Sequence, residues 1–117
     1  MKKATFSVAA MSMVLAGSML FGQDKQAKGG GAGDAAKGKD VFESNCSVCH
    51  NSDSTETKVG PGLKGLFKKA ALMNKKPVST ATVLEMINTG SESGMPPYKD
   101  MLTAAEKADV IAFLKTL

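Results

Sequence analysis

Cys46-Ser47-Val48-Cys49-His50 is the stretch of this 117-residue chain on which the interpretation of its fold depends. It contains both cysteines and the single histidine of the sequence. Two thiols separated by two residues, with an imidazole directly after the second, have the spacing that forms two thioether bonds to a haem and presents a ring nitrogen to its iron. The motif therefore predicts one covalent haem c, attached through Cys46 and Cys49, with His50 as an iron ligand.

Other interpretations of the motif remain open on the residues alone. A structural zinc site needs four ligands, and the chain offers only three soft ones. A dithiol redox pair usually lies at a helix start within a βαβ framework, and no run of strands surrounds this motif. A structural disulfide in an exported domain would explain the cysteines but would leave His50 without a role.

The first 22 residues have the composition of an export signal. Lys2 and Lys3 form a positive start, and residues 4–21 carry no charge. Ala16-Gly17-Ser18 offers a small-x-small pattern for cleavage, whereas the uncharged run of 18 residues is also at the lower limit for a retained membrane anchor. Residues 1–22 are thus predicted to be a signal peptide or an uncleaved N-terminal anchor, with the domain in the periplasm or on the extracytoplasmic face of the membrane.

Residues 23–33 are rich in glycine, lysine and alanine and include Gly29-Gly30-Gly31. Such a segment has too little apolar surface to fold, so a flexible linker is predicted. As a random coil it would span roughly 17–20 Å. The folded domain is expected to occupy residues 34–117.

Residues 34–117 have helical rather than strand periodicity, which predicts an all-α fold. The predicted helices run from Asp34 toward Asn45, from about Leu63 to Asn74, from Thr80 to Thr89, and from Thr103 to Leu117. Asp34, Ser79 and Thr103 are placed to cap three of them, the last through a capping box with Glu106. The residues expected to face the interior are Gly38, Val41, Phe42, Leu66, Phe67, Ala70, Ala71, Val83, Met86, Ile87, Val110, Ile111, Leu114 and Leu117.

With this order of helices, the chain resembles the class I, monohaem cytochromes c of bacterial type. Besides the haem motif, the resemblance rests on Gly38-x-x-x-Phe42, Gly60-Pro61-Gly62-Leu63, Met95-Pro96-Pro97 and a terminal helix containing Phe113. It implies a cytochrome c fold, in which three to five short helices wrap around the covalent haem and the first and last helices cross. Gly38 is then expected to allow the crossing, with Phe42 and Phe113 packed at it.

A methionine thioether is the natural candidate for the sixth iron ligand, because no second histidine exists. The methionines after the motif are Met73, Met86, Met95 and Met101. Met86 lies on the apolar stripe of its predicted helix and Met73 near an exposed helix end, which leaves Met101 as the alternative to Met95. Met95 stands between Gly94 and two prolines, where a loop could bring its sulfur to the iron opposite His50. The resemblance supports Met95.

Further haem contacts follow from the resemblance. The carbonyl of Pro61 is expected to accept the other ring N–H of His50, a contact that orients a metal-ligating imidazole. Tyr98 is expected either to reach a haem propionate or to pack in the interior. The apolar candidates for the haem wall are Leu63, Leu66, Phe67, Val83 and Ile87.

The charges of the chain suggest a partner class. Six lysines occur from Lys58 to Lys76, whereas residues 59–84 contain no Asp or Glu. This basic segment is either a solvated face or a docking patch for an acidic redox protein. Nucleic acid binding is not expected, since arginine is absent. We expect a monomer that contacts a membrane only through an uncleaved N-terminus.

An iron ligated by both His50 and Met95 would have no open coordination position. The resemblance therefore implies a carrier of single electrons between respiratory partners rather than an enzyme. A different class of function is a haem domain with a labile sixth ligand that acts as a sensor, a peroxidase or a subunit of a larger oxidoreductase. A disulfide protein without haem is a third.

Overall fold

The computed structural model describes residues 32–117, which form three α-helices and one short 3-10 helix. We call the α-helices α1 (Ala35–Asn45), α2 (Thr80–Thr89) and α3 (Ala104–Leu114), and the 3-10 helix spans Leu66–Lys68. Within residues 32–117 there is no strand beyond one isolated bridge between Ala71 and Pro77. The predicted all-α class is confirmed. The signal or anchor over residues 1–22 and most of the linker over residues 23–33 lie outside the described residues.

Each α-helix begins at the side chain that was expected to cap it. The Asp34 carboxylate accepts two backbone N–H groups of the first turn of α1, and the Ser79 hydroxyl accepts the Thr82 N–H at the start of α2. In α3 the capping box is complete, because Glu106 Oε2 accepts the Thr103 N–H at 2.7 Å while Thr103 Oγ1 accepts the Glu106 N–H. Each cap contributes about 1 kcal/mol by offsetting unpaired donors.

The main packing contact of the fold is between α1 and α3, whereas α2 packs on α3 less extensively. A side chain on Gly38 would collide with the carbonyl oxygen of Asp109, and its Cβ atom would lie 2.9 Å from that of Phe113. The rings of Phe42 and Phe113 pack beside this point with centroids 5.4 Å apart. Glycine is therefore required at the contact of α1 with α3, as the resemblance implied.

The hydrophobic core draws on all four helical segments. Its buried side chains are Phe42, Leu66, Val83, Ile87, Leu102, Val110, Ile111 and Leu114. Lys107 of α3 is also buried, and its ammonium group donates a hydrogen bond of 2.6 Å to the carbonyl oxygen of Lys99. That bond ties the chain segment before α3 to the helix. Within residues 32–117 no helix is long and apolar enough to span a membrane.

The predicted helix over Leu63–Asn74 is wrong. Only Leu66–Lys68 is helical, because Gly65 before it has a left-handed conformation (φ 67°) and Lys69 after it is extended. The chain then turns, and the Leu72 N–H donates to the Lys76 carbonyl instead of to a residue one helical turn earlier. A helix this short gains little from its own hydrogen bonds, so bonds across the turn prevail.

Two further expectations about burial and helix length are corrected. Ala70 and Ala71, which were expected in the interior, are exposed on the turn. The helix α3 ends at Leu114 rather than at Leu117, since Lys115 begins a turn in which its N–H donates to the carbonyls of Ile111 and Phe113. Leu117 is half-buried and still packs against the core.

Candidate functional site

The haem motif forms a turn at the C-terminal end of α1. Cys46 caps the helix with its N–H on the Phe42 carbonyl, and the N–H groups of Cys49 and His50 both donate to the Cys46 carbonyl at 3.0 and 2.9 Å. Both cysteines are free thiols and half-buried. Burial, and secondarily the neighbouring Cys49 thiol, raises the pKa of Cys46 to about 11. Cys46 is therefore a neutral thiol at physiological pH.

The raised pKa of Cys46 argues against the interpretation of the motif as a redox-active dithiol. A redox-active dithiol needs a thiol whose pKa is depressed, so that a thiolate is present to attack. Burial acts in the opposite direction on Cys46. Within residues 32–117 no three His, Cys, Asp or Glu side chains form a group that could hold a metal ion, so the zinc interpretation gains no support.

The imidazole of His50 is held from two sides by the segment after the motif. Its Nδ1 atom lies 2.8 Å from the carbonyl oxygen of Pro61. Because a carbonyl oxygen only accepts hydrogen bonds, Nδ1 carries the proton and Nε2 keeps its lone pair free for a metal. The contact expected from the resemblance is thus present, and it sets both the tautomer and the orientation of the ring.

Gly60 is a residue of this site that the sequence analysis did not single out. A Cβ atom on Gly60 would lie 2.5 Å from Cε1 and 2.9 Å from Nδ1 of His50. The Gly60 N–H donates to the Cys49 carbonyl at 2.7 Å, which brings its backbone against the ring. The run Gly60-Pro61-Gly62 was the available signal, but only the contact explains why the first glycine has no side chain.

Met95 lies in a loop that folds back at the C-terminal end of α2. Gly90 ends α2 with φ 68°, and a side chain there would collide with the carbonyl oxygen of Met95. The Ser91 N–H donates to that same oxygen at 3.0 Å, and the Met95 N–H donates to Ser91 Oγ at 3.3 Å. The Met95 side chain is half-buried and packs against the hydrophobic core.

Tyr98 connects this loop to the haem motif. Its N–H donates to the carbonyl of Ile87 at 2.8 Å, and its hydroxyl donates to the carbonyl of Asn45 at 2.9 Å, directly before Cys46. Burial first, and then the Cys46 and Cys49 thiols, raises the pKa of Tyr98. Tyr98 packs against the hydrophobic core, with its hydroxyl bonded to the Asn45 carbonyl.

The remaining methionines and the residues expected to line the haem differ in how far their side chains are buried. Met73 and Met101 are 82% and 64% exposed, and Met86 is a half-buried residue of α2. Leu66, Val83 and Ile87 lie inside the hydrophobic core, whereas Leu63, Phe67, Met95 and Tyr98 are half-buried at its edge.

The six lysines of the basic segment from Lys58 to Lys76 are exposed, but three of them have local partners. Lys58 Nζ donates to the Ser47 carbonyl at 2.9 Å, and Lys69 Nζ donates to the Gly62 carbonyl at 3.3 Å. Lys76 Nζ forms an ion pair of 2.7 Å with Glu85. Among residues 32–117, neither of the two ion pairs involves the other lysines of this segment, Lys64, Lys68 and Lys75.

These groups fit a covalent haem c. Two free thiols lie on one turn, the adjacent imidazole is hydrogen-bonded through Nδ1 so that Nε2 is the nitrogen left for a metal, and a thioether is held in a loop tied to the same turn. Cys46 and Cys49 would form the thioether bonds. His50 would provide the nitrogen ligand, whose basicity the hydrogen bond to the Pro61 carbonyl increases.

Comparison with known proteins agrees with this fit. The family model described as Cytochrome C oxidase, cbb3-type, subunit III matches residues 33–114. A cytochrome c-553-like protein of Synechocystis sp. is 29% identical over 85 residues, which cover 73% of this chain and 70% of that protein. Cytochrome c 2.1 of Caenorhabditis elegans is 35% identical over 89 residues, covering 67% of this chain and 80% of that protein.

The fold also has a counterpart among solved structures. The crystal structure of cytochrome c6 from the diatom Phaeodactylum tricornutum aligns with a TM-score of 0.58 at 21% identity. The alignment covers 72% of this chain and 93% of that protein. The similarity extends over nearly the whole of that structure, and at this level of identity it concerns the fold.

Proposed function

Because the chain belongs to the class I, monohaem cytochrome c family, we propose that it carries single electrons between respiratory redox partners with His50 and Met95 as axial ligands. The family is one of electron carriers with covalent haem, and this chain is a carrier rather than an enzyme. When bound, the haem supplies an iron that alternates between ferric and ferrous states.

The observation that carries the His/Met proposal is the hydrogen bond from the Tyr98 hydroxyl to the Asn45 carbonyl. It connects the loop that contains Met95 to the turn that contains His50, although the two bonded residues are 53 positions apart in the chain. Met95 is also the methionine whose loop is held by hydrogen bonds on both sides of its backbone. Met73 and Met101 are largely exposed.

Each residue of the site has its own role in holding the haem. Cys46 and Cys49 hold the haem, and His50 binds with Nε2 while Pro61 keeps its ring in place. A thioether from Met95 raises the reduction potential above that of two imidazoles, because it is the weaker donor to ferric iron. If His50 and Met95 both bound the iron, no position would be left for a substrate, which would suit electron transfer.

The ligation is tested on the protein expressed in the periplasm together with haem maturation. The ferric wild type should show the long-wavelength band of sulfur-to-iron charge transfer and should bind cyanide slowly. Met95→Ala should lose the band and bind cyanide at once, while the control Met101→Ala should retain the wild-type behaviour. If Met101→Ala loses the band instead, the assignment of Met95 is wrong.

A second candidate function is that of a subunit in a larger oxidoreductase. It is favoured by the family model, whose description names an oxidase subunit, and by a 32% identical cytochrome bc1 complex cytochrome c subunit of Corynebacterium diphtheriae. The chain covers only 27% of the length of that subunit. Purification from the native membrane distinguishes the two functions, because a free carrier elutes alone whereas a subunit elutes with the complex.

The domain is also proposed to be exported and to dock a redox partner through its basic segment. We infer that residues 1–22 deliver the domain to the periplasm or the extracytoplasmic face, either as a cleaved signal or as an anchor. The exposed Lys64, Lys68 and Lys75 are the part of the basic segment available to an acidic redox partner. Mass spectrometry of the mature protein tests the cleavage, since a cleaved chain begins after the small-residue run at 16–18.

A further inference from the structure

We propose that Ser91 is a positioning residue for Met95 and that it controls how readily the sixth iron position opens. This inference rests on the proposed ligation by Met95. It concerns a residue that lies outside every motif of the sequence and that touches no group of the haem-binding turn. Its effect would be exerted through the backbone of Met95 alone.

Ser91 contacts the backbone of Met95 at both ends of the residue. The Ser91 N–H donates to the Met95 carbonyl at 3.0 Å, and Ser91 Oγ accepts the Met95 N–H at 3.3 Å. The Ser91 carbonyl in turn accepts the Gly94 N–H at 3.1 Å. One residue thus provides three hydrogen bonds that close the loop over residues 91–95.

The chain around Met95 has few other means of holding it. Gly94 has φ 120°, and a Cβ atom there would meet nothing within 4 Å, so the residue before Met95 is not restrained by packing. Pro96 and Pro97 follow, and neither has a backbone N–H. The Met95 N–H is therefore the one backbone donor of residues 95–97, and it is directed to the Ser91 hydroxyl.

Without this bond, the Met95 backbone would keep only the hydrogen bond from the Ser91 N–H to its carbonyl, so the half-buried thioether would be held less firmly. Glycine loses more backbone freedom on ordering than any other residue. Because Gly90 precedes the loop and Gly94 lies within it, ordering this part of the chain has an entropic cost. The Ser91 hydroxyl offsets part of that cost at the residue whose sulfur must stay in place. Its loss should therefore raise the fraction of time in which Met95 is displaced.

Ser93 provides a matched control within the same loop. Its hydroxyl lies 2.9 Å from Ser91 Oγ, and either atom is able to donate. A hydroxyl has two lone pairs, so Ser91 Oγ can accept the Met95 N–H whichever way the Ser91–Ser93 bond is directed. Removal of the Ser93 hydroxyl therefore leaves the contact between Ser91 and Met95 intact.

The test uses the haem-loaded wild type and the variants Ser91→Ala, Ser91→Thr and Ser93→Ala. Two quantities are measured, the rate at which cyanide binds the ferric protein and the rate of hydrogen exchange at the Met95 amide. Ser91→Ala should raise both rates roughly fivefold, as expected for one lost hydrogen bond. Ser91→Thr, which keeps the hydroxyl, and Ser93→Ala should stay within about twofold of wild type.

Amide exchange at Met95 separates positioning from a general loss of stability. Ser91→Ala should not change exchange at amides of the α1–α3 contact, such as that of Val110. The inference is overturned if Ser91→Ala leaves the rate of cyanide binding unchanged in a protein that retains the sulfur-to-iron band, whatever its effect on exchange at the Met95 amide, and in that case the ligation by Met95 stands. It is also overturned if Ser93→Ala has an equal effect. If the wild type lacks the band, both proposals fall.

Discussion

The hydroxyl of Tyr98 donates a hydrogen bond of 2.9 Å to the carbonyl oxygen of Asn45, so the loop that carries Met95 is fastened to the end of α1. The Asn45 carbonyl is one of the last acceptors of the helix and has no partner from a following turn of α-helix. Tyr98 supplies that partner with a half-buried side chain. This one hydrogen bond therefore gives a donor to a carbonyl at the end of α1 and connects the segment around Met95 to the haem motif.

Tyr98→Phe should lower the free energy of unfolding by about 1–2 kcal/mol, because the ring remains while the Asn45 carbonyl loses its donor. Urea unfolding followed by far-UV circular dichroism measures this change. The control is Thr116→Val, which removes an exposed hydroxyl bonded to the Phe113 carbonyl and should cost less than about 0.5 kcal/mol. Equal midpoints for Tyr98→Phe and wild type would show that the Asn45 contact does not stabilise the fold.

Gly38→Ala should destabilise the protein by more than about 3 kcal/mol or prevent folding, because the added methyl group collides with the Asp109 carbonyl where α1 meets α3. The intrinsic helix propensity of alanine favours the substitution by about 1 kcal/mol, so a net loss would isolate the steric effect. The yield of haem-loaded protein and its urea midpoint are measured. Lys37→Ala, at an exposed position of the same helix, should be near neutral, and a stable Gly38→Ala protein would contradict the close contact.

The capping box of α3 should make stability depend on acid pH. Hydrogen bonds from the Thr103 backbone and side chain lower the pKa of Glu106 from its ordinary value of 4.5. A lowered carboxyl pKa in the folded state adds stability that is present above the unfolded value and is lost as the pH falls through the folded value. In Glu106→Gln the acid dependence of the thermal midpoint below pH 4.5 should be weaker than in wild type. Parallel curves for the two proteins would mean that this carboxylate is not linked to folding.

Docking on the basic segment should depend on the lysines without local partners. The triple variant Lys64→Gln, Lys68→Gln, Lys75→Gln should react more slowly with an acidic redox protein at low salt, by roughly tenfold if electrostatic steering operates. Stopped-flow mixing across a range of ionic strength measures this. Lys76→Gln is the control, because Lys76 is paired with Glu85. Rates that do not change with salt in the wild type would exclude docking through this segment.

Features that depend on neighbouring residues could be predicted from the sequence. The caps at Asp34, Ser79 and Thr103 join a side chain to a backbone group two or three residues away, so the required partners are present in the local sequence. The haem motif has the same property, since its three functional groups lie within five residues. The glycine at position 38 already indicated a close approach, because glycine is unfavourable inside a predicted helix, and the resemblance identified the last helix as the element that crosses there.

The segment over Leu63–Asn74 shows where local pattern failed. Its apolar spacing suits a helix, but Gly65 adopts a left-handed conformation and Val78 donates to the Ala70 carbonyl across the following turn. This hydrogen bond connects residues that are not one helical turn apart, so the spacing of apolar residues gives no sign of it. The prediction that Leu66 packs into the core is still confirmed, because one large apolar side chain can be buried without the rest of the predicted helix.

The amino-acid sequence by itself predicted the haem motif, the starts of the three α-helices and the family, because each depends on residue types at short, fixed spacings. Only the tertiary structure decided how the two parts of the site are joined. The contacts of Gly60 with the His50 ring, of Tyr98 with Asn45 and of Lys107 with Lys99 arise from chain reversals and from the packing of α3. Such contacts form where folding brings residues that are not near neighbours in the sequence against one another, and no local pattern specifies that meeting.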